Sequence, residues 1–308
     1  MNKLVYDIGA SNIKFALMTD EGEILERRKM PTPRTNLEDY VNGLVSLAGD
    51  LAAQADGAAV STNGRMYPDG DTYRAYTADF LKDINIKAEL ESRLHMPAAV
   101  ENDGVAATVG EWWQGAAKGC QNVLGIVLGS GMGAGLIIDG KPVRGAKNNS
   151  AMVFGMTATA DLTAGKYVAS AVDTAFPLAM YKIAMAKQMS FADLTGPKVF
   201  EMAAAGDPIV GAVLESYYRG VAITVYNSAA LLDPDCVVIT GGLAQQPLLI
   251  QGIQRNLDDI GRKVLTYEGI DLSSQGIMLE PEDFHVRITP GKLCLDANLY
   301  GALYKLLH

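Results

Sequence analysis

Two stretches of the sequence hold small residues in the pattern a chain needs to grip phosphate. "DIGASNIK" at 7–14 sets Gly9, Ser11, Asn12 and Lys14 behind Asp7, and "GSGMGAG" at 129–135 sets Gly129, Ser130, Gly131 and Gly133 between two apolar runs. Backbone N–H groups reach phosphate oxygens only where no Cβ holds the ligand away and the turn can take positive φ, which glycine and small polar residues allow. Glycine-rich turns also arise where sheets bend or backbones pack closely, so the pattern alone leaves both readings open. A third stretch, "AAVENDGVAATVGE" at 98–111, ends an apolar run on Asn102 and Asp103. An aspartate at a strand-to-helix junction reads first as a helix N-cap. The same carboxylate is also the type of group that accepts the proton of an attacking hydroxyl, the acid–base task that phosphoryl transfer sets a protein.

These residues need elements to position them. Placing Gly9 over Gly129 brings "LVYDIGASNIKFALMTDEGEIL" from Leu4 and "LGIVLGSGMGAGLIIDGKPV" from Leu124 into register as strand, small-residue turn, strand and Asp-Gly-type turn. Two such copies far apart suggest a duplicated domain, against the alternative that any two β-hairpins look alike. Between them, "NLEDYVNGLVSLAGDLAA" carries Leu37, Tyr40, Val41, Leu44, Leu47 and Leu51 near helical spacing behind a Thr35–Asn36 cap, and 58–60 reads as a short strand. "DINIKAELESRLH" reads as helix, "AAVEND" as a strand ending in polar residues, and "VAATVGEWWQG" as helix again. Past 160 the chain turns helix-rich, with "PKVFEMAAAG" and the long "DPIVGAVLESYYRGVAITVYNSAALL", before "DCVVITGG" returns a buried strand ending on a glycine pair. The class is α/β with a helical insertion in the second half.

The chain has 308 residues, more than one hydrophobic core usually serves, so two domains with a ligand cleft between them are expected. With 49% hydrophobic and 20% charged residues the composition is that of an ordinary folded protein. The net charge of -9 and the lack of a Lys or Arg stripe argue against a nucleic-acid partner. Cys120, Cys236 and Cys294 lie far apart and form neither a disulfide framework nor a metal cluster, which implies a reducing, cytoplasmic setting. "MNKLVYDIGA" is too polar for a secretory signal and no apolar run is long enough to span a bilayer, so no membrane partner is expected.

Taken in order, "DIGASNIK", "ENDGVAATVGE" at 101–111, "GSGMGAGLIIDGKPVRGA" at 129–146, "AAAGDP" at 203–208, "LLDPDCVVITGGLAQ" at 231–245 and "DANLYGAL" at 296–303 resemble the signature of the ROK family of sugar kinases and repressors. The resemblance implies an α/β, actin-like ATPase (ribonuclease H-like) fold: two domains, each on a five-stranded sheet, with ATP and sugar meeting in a central cleft. The expected division is residues 1–116 completed by the C-terminal helix 295–308, and residues 117–294 with the helical insertion. Repressors of the family carry a DNA-binding winged helix in front, whereas here the first hairpin begins at Leu4, which favours a kinase. The family also tends to form dimers, so a homodimer is expected.

The same resemblance assigns roles. Asp103 becomes the catalytic base, and Asn102 holds a neighbouring sugar hydroxyl. Asn63 and Gly64 fall where the family puts a loop over the sugar. Asp7 would orient magnesium through water, with Gly9, Ser11, Asn12 and Lys14 and then Gly129, Ser130, Gly131 and Gly133 near the phosphates of ATP. Gly241, Gly242 and Leu243 would receive adenosine, although a glycine pair after a strand is also an ordinary strand-to-helix turn. The departures are as informative. The family's Gly-Glu-x-Gly-His segment, whose Glu and His hold sugar hydroxyls, is replaced by "GAKNNSAMVFGMTATADLTAGKYVASAVD". Met152 or Val153 stands for the Glu, and Gly155 or Met156 for the His. The cysteine cluster is missing, and His95, His285 and His308 are distant in sequence, so no structural zinc is expected. Val105 replaces an Asn and Ala10 a Gly. The nearest match is a zinc-less branch with the bacterial β-glucoside kinases. The expected function is ATP- and Mg2+-dependent phosphorylation of a sugar or glycoside hydroxyl, the alternative being a catalytically degenerate member that binds a carbohydrate or a protein partner. Loss of the Glu and His near the reducing end points to a glycoside or substituted sugar over a free hexose.

Overall fold

A computed structural model describes residues 1–69, 71–75, 78–161, 166–170, 174–264, 266–267, 270–271 and 285–308. The chain divides into two compact units, Met1–Gly125 with Ala134–Ala151 and Lys292–His308, and Ile126–Gly133 with Met152–Gly291.

In the first unit, Asn2–Ile8 (β1), Asn12–Thr19 (β2) and Ile24–Pro31 (β3) form an antiparallel meander. Leu37–Ala48 (α1) follows, with Asn36 as its N-cap accepting from Asp39 N, as the sequence predicts. Ala55–Thr62 (β4) then pairs in parallel with β1. Arg65–Met66 (β5) and Tyr73–Arg74 (β6) make a short antiparallel pair, and Ile86–Leu94 (α2) leads to Ala98–Asn102 (β7), parallel to β4. The order is β3-β2-β1-β4-β7. Alternation along the strands sends Leu4, Tyr6 and Ile8 into a core with Tyr40, Val41, Leu44, Ile86 and Leu90. Val5, Ala16 and Ala59 enter a second core with Leu299, Ala302 and Leu303 on the other face.

That second face is covered by Asp103–Trp113 (α3) and the C-terminal helix Ala297–Leu307 (labelled α8 below, after the helices of the second unit). The two helices meet at glycines that leave no room for a side chain. A Cβ on Gly301 would lie 1.7 Å from Ala106 O, and one on Gly110 would lie 2.1 Å from Ala297 O. A helix contact this close fixes α3 against α8, and so fixes the residues at its N-terminus.

Val123–Leu128 (β8), Met132–Ile138 (β9) and Lys141–Pro142 (β10) open the second sheet, the repeat of the first hairpin. Glycines inside these strands admit α3, because Cβ atoms on Gly125 and Gly135 would fall 2.1 and 2.6 Å from Thr108 Oγ1. In the second unit, Thr157–Asp161 (β11) pairs with Lys166–Ala169 (β12). Phe176–Lys187 (α4), Gly196–Ala204 (α5) and Pro208–Leu232 (α6) are the helical insertion. Cys236–Thr240 (β13), Pro247–Lys263 (α7), the pair Thr266–Tyr267 (β14) and Ile270–Asp271 (β15), and Ile288–Pro290 (β16) follow, with α8 last. The second sheet runs β10-β9-β8-β13-β16, the same order as the first sheet.

Candidate active site

The parallel register of the first sheet lines up its chemistry. Asp7 pairs with Ser61 and Ile8 with Thr62, while Ser61 pairs with Glu101 and Thr62 with Asn102. Three neighbouring strands thus end side by side, at the carboxyl edge where open α/β sheets bind ligands.

Asp103 is the first residue of α3, and the cap is its neighbour: the Asn102 side chain accepts from Val105 N at 3.2 Å. The N-cap reading of Asp103 is therefore corrected. The side chain of Asn102 stands across the strand end, where its oxygen meets the orphan helix amide, so Asp103 is released from that duty. Asp103 Oδ1 instead accepts from Gly104 N at 2.9 Å and from Asn102 Nδ2 at 3.1 Å. Burial, with Asp7 as a neighbouring negative charge, outweighs those hydrogen bonds and pushes its pKa up to about 6. Asn298 of α8 donates to the backbone carbonyl of Asp103 at 3.3 Å and to Ser61 Oγ at 3.0 Å. Sequence reasoning missed Asn298, which lies inside the quoted "DANLYGAL" but far from the other site segments along the chain.

Asn102 has less freedom than expected. Its Nδ2 donates to Gly64 O at 2.7 Å as well as to Asp103, so both amide hydrogens are used within the protein. It positions the 63–64 turn as well as any hydroxyl. Gly64 has φ +113, and a Cβ there would lie 2.4 Å from Arg74 O, so only glycine fits. The side chain of Asn63 has no hydrogen bond among the described residues and remains open to a ligand.

Asp7 is nearly buried, 9% exposed, and desolvation raises its pKa against the opposing pull of Lys14. Lys14 Nζ lies 3.0 Å from Asp7 Oδ2 and also donates to Leu295 O at 3.0 Å. Asp7 Oδ1 has no partner among the described residues. The turn that follows is closed by Gly9 N donating to Asn12 O. Thr32 and Arg34 tie back its carbonyls: Gly9 O accepts from Thr32 Oγ1, Ala10 O from Arg34 Nη2 and Ser11 O from Thr32 N. The amides of Ala10 and Ser11 keep no partner among the described residues, in a turn where both residues are exposed. Thr32 and Arg34 were not singled out from sequence, because nothing local marks a residue in the loop after β3 as the anchor of the 9–12 turn.

In the second unit, Gly129 N closes the second turn onto Gly131 O at 3.0 Å, and Cβ atoms on Gly129 or Gly131 would meet nothing within 4 Å. Neither these residues nor Gly9 and Gly133 have a left-handed φ, so the expected need for positive φ is corrected. Open space is what Gly129 and Gly131 supply, whereas a Cβ on Gly9 would lie 3.0 Å from Asn12 O, and Ala10 stands where the resemblance has glycine without a left-handed φ. Gly241 does need its freedom: φ is +93, and a Cβ would fall 2.6 Å from Leu128 O. Gly241, Gly242 and Leu243, at the end of β13, thus adjoin the end of β8, where Gly129, Ser130, Gly131 and Gly133 begin and follow.

The altered segment is apolar. Val153 is buried, its carbonyl accepting from Ser170 Oγ at 2.6 Å, whereas Met152 and Phe154 are more than a third exposed. Among the described residues no group of three His, Cys, Asp or Glu side chains could hold a metal ion, and no helix is long and apolar enough to cross a membrane.

The chain is similar to several known proteins. A glucokinase of Halalkalibacterium halodurans is 30% identical over 267 residues, covering 78% of this chain and 79% of that protein. A beta-glucoside kinase of Listeria innocua is 26% identical over 272 residues, covering 85% and 89%. The solved structure of a ROK family glucokinase from Streptomyces griseus, in complex with glucose and AMPPNP, matches 99% of this chain and 98% of its own with TM-score 0.81 at 23% identity. The two five-stranded sheets of like order are those of the actin-like ATPase fold. The ROK family model matches residues 4–270, and the chain belongs to the ROK family.

Proposed function

We propose that the protein is an ATP-dependent sugar kinase that transfers the γ-phosphoryl group of ATP to a hydroxyl of a sugar or glycoside. The observation that carries this reading is Asp103: a carboxylate at the carboxyl edge of the sheet, relieved of helix capping by Asn102, with a pKa near 6. Such a group is ionised at neutral pH yet basic enough to accept a proton. As the hydroxyl oxygen bonds to the γ-phosphorus and the bond to the β–γ bridging oxygen breaks, Asp103 takes the hydroxyl proton and ADP leaves. Asn102 and Asn298 hold Asp103 from the side chain and from the backbone. The unpaired amides of the 9–12 turn, with Lys14, suit phosphate oxygens. Gly129 and Gly131 leave room for nucleotide contacts to the backbone. Magnesium oriented through water by Asp7 would neutralise charge on the transferring group.

The preferred substrate in this reading is a glycoside or otherwise substituted sugar. No carboxylate or imidazole stands in the 152–156 segment, while Met152 and Phe154 offer exposed apolar surface. The reading includes a cytoplasmic homodimer without structural zinc, divided at 1–116 with 295–308 and at 117–294. The test is sugar-dependent ADP release with Mg-ATP across glucose, N-acetylated hexosamines, and aryl and disaccharide β-glucosides. Glycosides are expected to exceed glucose in kcat/KM. Efficient turnover of free glucose would refute the substitution argument, and silence on every sugar would refute the kinase.

A further inference from the structure

Arg65 is a cation without a counterion at the edge of the sugar loop. It follows Gly64, the residue whose carbonyl Asn102 clamps, and opens β5. Strand alternation sends Met66 into the core and turns Arg65 and Tyr67 to the other side, where the guanidinium carbon lies 5.7 Å from the Tyr67 ring centroid. Its Nε is buried and has no hydrogen-bond partner, and the side chain makes no ion pair among the described residues. Asp83, the acid that could compensate it, is already committed. Its oxygens take Arg74 Nε at 3.0 Å, Arg74 Nη2 at 2.6 Å and the Tyr67 hydroxyl. Among the described residues Arg144 is neutralised by Glu101 and Arg74 by Asp83, whereas Arg65 has no such partner. With Nε shut off from solvent and the residue only half-buried, the unmatched charge is open to a ligand oxyanion at its Nη atoms.

We propose that Arg65 receives an anionic group, a carboxylate or a phosphate, carried by the sugar substrate. The inference rests on the kinase reading and names its substrate class: acidic sugars or glycosides that already bear a phosphate. The guanidinium fork matches either oxyanion with two parallel hydrogen bonds. The nucleotide phosphates are not its ligand, because the cations beside the 9–12 turn are Lys14 and Arg34, whereas Arg65 adjoins the turn held by Asn102, the neighbour of Asp103.

The experiment compares matched pairs with the full chain: methyl β-glucuronide against methyl β-glucoside, and phenyl β-glucoside 6-phosphate against phenyl β-glucoside. Each pair is assayed for kcat/KM by ADP release in wild type, Arg65→Met and Arg65→Lys. Wild type is expected to prefer the anionic member of one pair, and which pair separates carboxylate from phosphate. Arg65→Met should lower that acidic-to-neutral ratio on the order of ten- to hundredfold, the loss expected for a charge-assisted pair, with Arg65→Lys between. Equal rates for both members in wild type, or a ratio that Arg65→Met leaves unchanged, overturns the proposal while leaving the kinase standing. If no sugar is turned over, calorimetric binding of the same pairs decides. Anion-selective binding that Arg65→Met abolishes supports Arg65 and sinks the kinase, and its absence overturns the Arg65 proposal. If Arg65→Met fails to fold, Arg65→Lys and Arg65→Gln read the same ratio.

Discussion

Asn102 Nδ2 lies 2.7 Å from the carbonyl oxygen of Gly64, a residue 38 positions earlier in the chain. One amide thereby joins the loop over the proposed sugar site to the helix cap beside the proposed base, since Asn102 also caps α3 and donates to Asp103.

Asn102→Ala should cost about 1–2 kcal/mol of stability through the lost cap and the unpaired Gly64 carbonyl. It should also lower kcat/KM for the sugar about tenfold or more, with little change in KM for ATP. Denaturant unfolding and steady-state kinetics check both. A stability loss with unchanged sugar kinetics would reduce Asn102 to a cap.

The raised pKa of Asp103 gives two pH effects of opposite use. Activity needs the ionised form, so kcat/KM should climb through about pH 6 and level off above it. Stability runs the other way. The folded state holds the Asp103 proton more tightly than the unfolded chain, so this residue costs stability as pH rises from the ordinary carboxylate range, about 4, through about 6. Asp103→Asn should therefore melt higher than wild type at pH 7, and the gain should fade as pH approaches 4. An equal melting difference at both pH values would contradict the assignment.

Glu111 predicts a purely structural loss. Its buried carboxylate accepts from Lys292 N and Leu293 N at 3.0 Å and from Cys294 N and Ala116 N at 2.9 Å. Cys294 is held at φ 48, in the left-handed region a cysteine rarely takes. Glu111→Ala strands these amides and should cost about 3 kcal/mol or more, read as a large fall in the urea midpoint. A loss under 1 kcal/mol would show that water replaces the carboxylate.

Much of the fold was legible because it rests on local signals. The Asn36 cap and each copy of the small-residue hairpin are written within about twenty residues. The roles that escaped are set by long-range geometry. Glu111 reads as an ordinary helical acid until the 292–294 backbone folds over it, and nothing near Gly125 and Gly135 in sequence says that Thr108 packs on them. Asp103 resembled a cap because sequence cannot say which of two adjacent polar residues turns back to the helix amides. Of the two causes given for the glycine turns, room without a Cβ holds at Gly129 and Gly131 while the positive φ does not, since spacing cannot reveal φ. Arg65 was overlooked because a lone arginine is usually solvated, and only its unpaired burial marks it.

Magnesium and zinc should separate cleanly. Turnover should vanish with EDTA and return with Mg2+, and Asp7→Asn should raise the Mg2+ concentration needed for half-maximal rate about tenfold. Chelation should leave the melting temperature unchanged, because structural zinc would couple to folding. Stoichiometric zinc by elemental analysis would contradict the ligand-poor reading of the 145–156 segment.

The central claim is that Asp103 accepts the proton of a sugar hydroxyl during transfer from ATP. Its most direct test is sugar-dependent ADP release at pH 7.5, with saturating Mg-ATP and the best glycoside, for wild type and Asp103→Asn. The substitution keeps the shape and removes the proton acceptor, so kcat should fall by roughly two to four orders of magnitude while the Kd for ATP stays within about threefold. An Asp103→Asn protein that turns over at the wild-type rate would contradict the account.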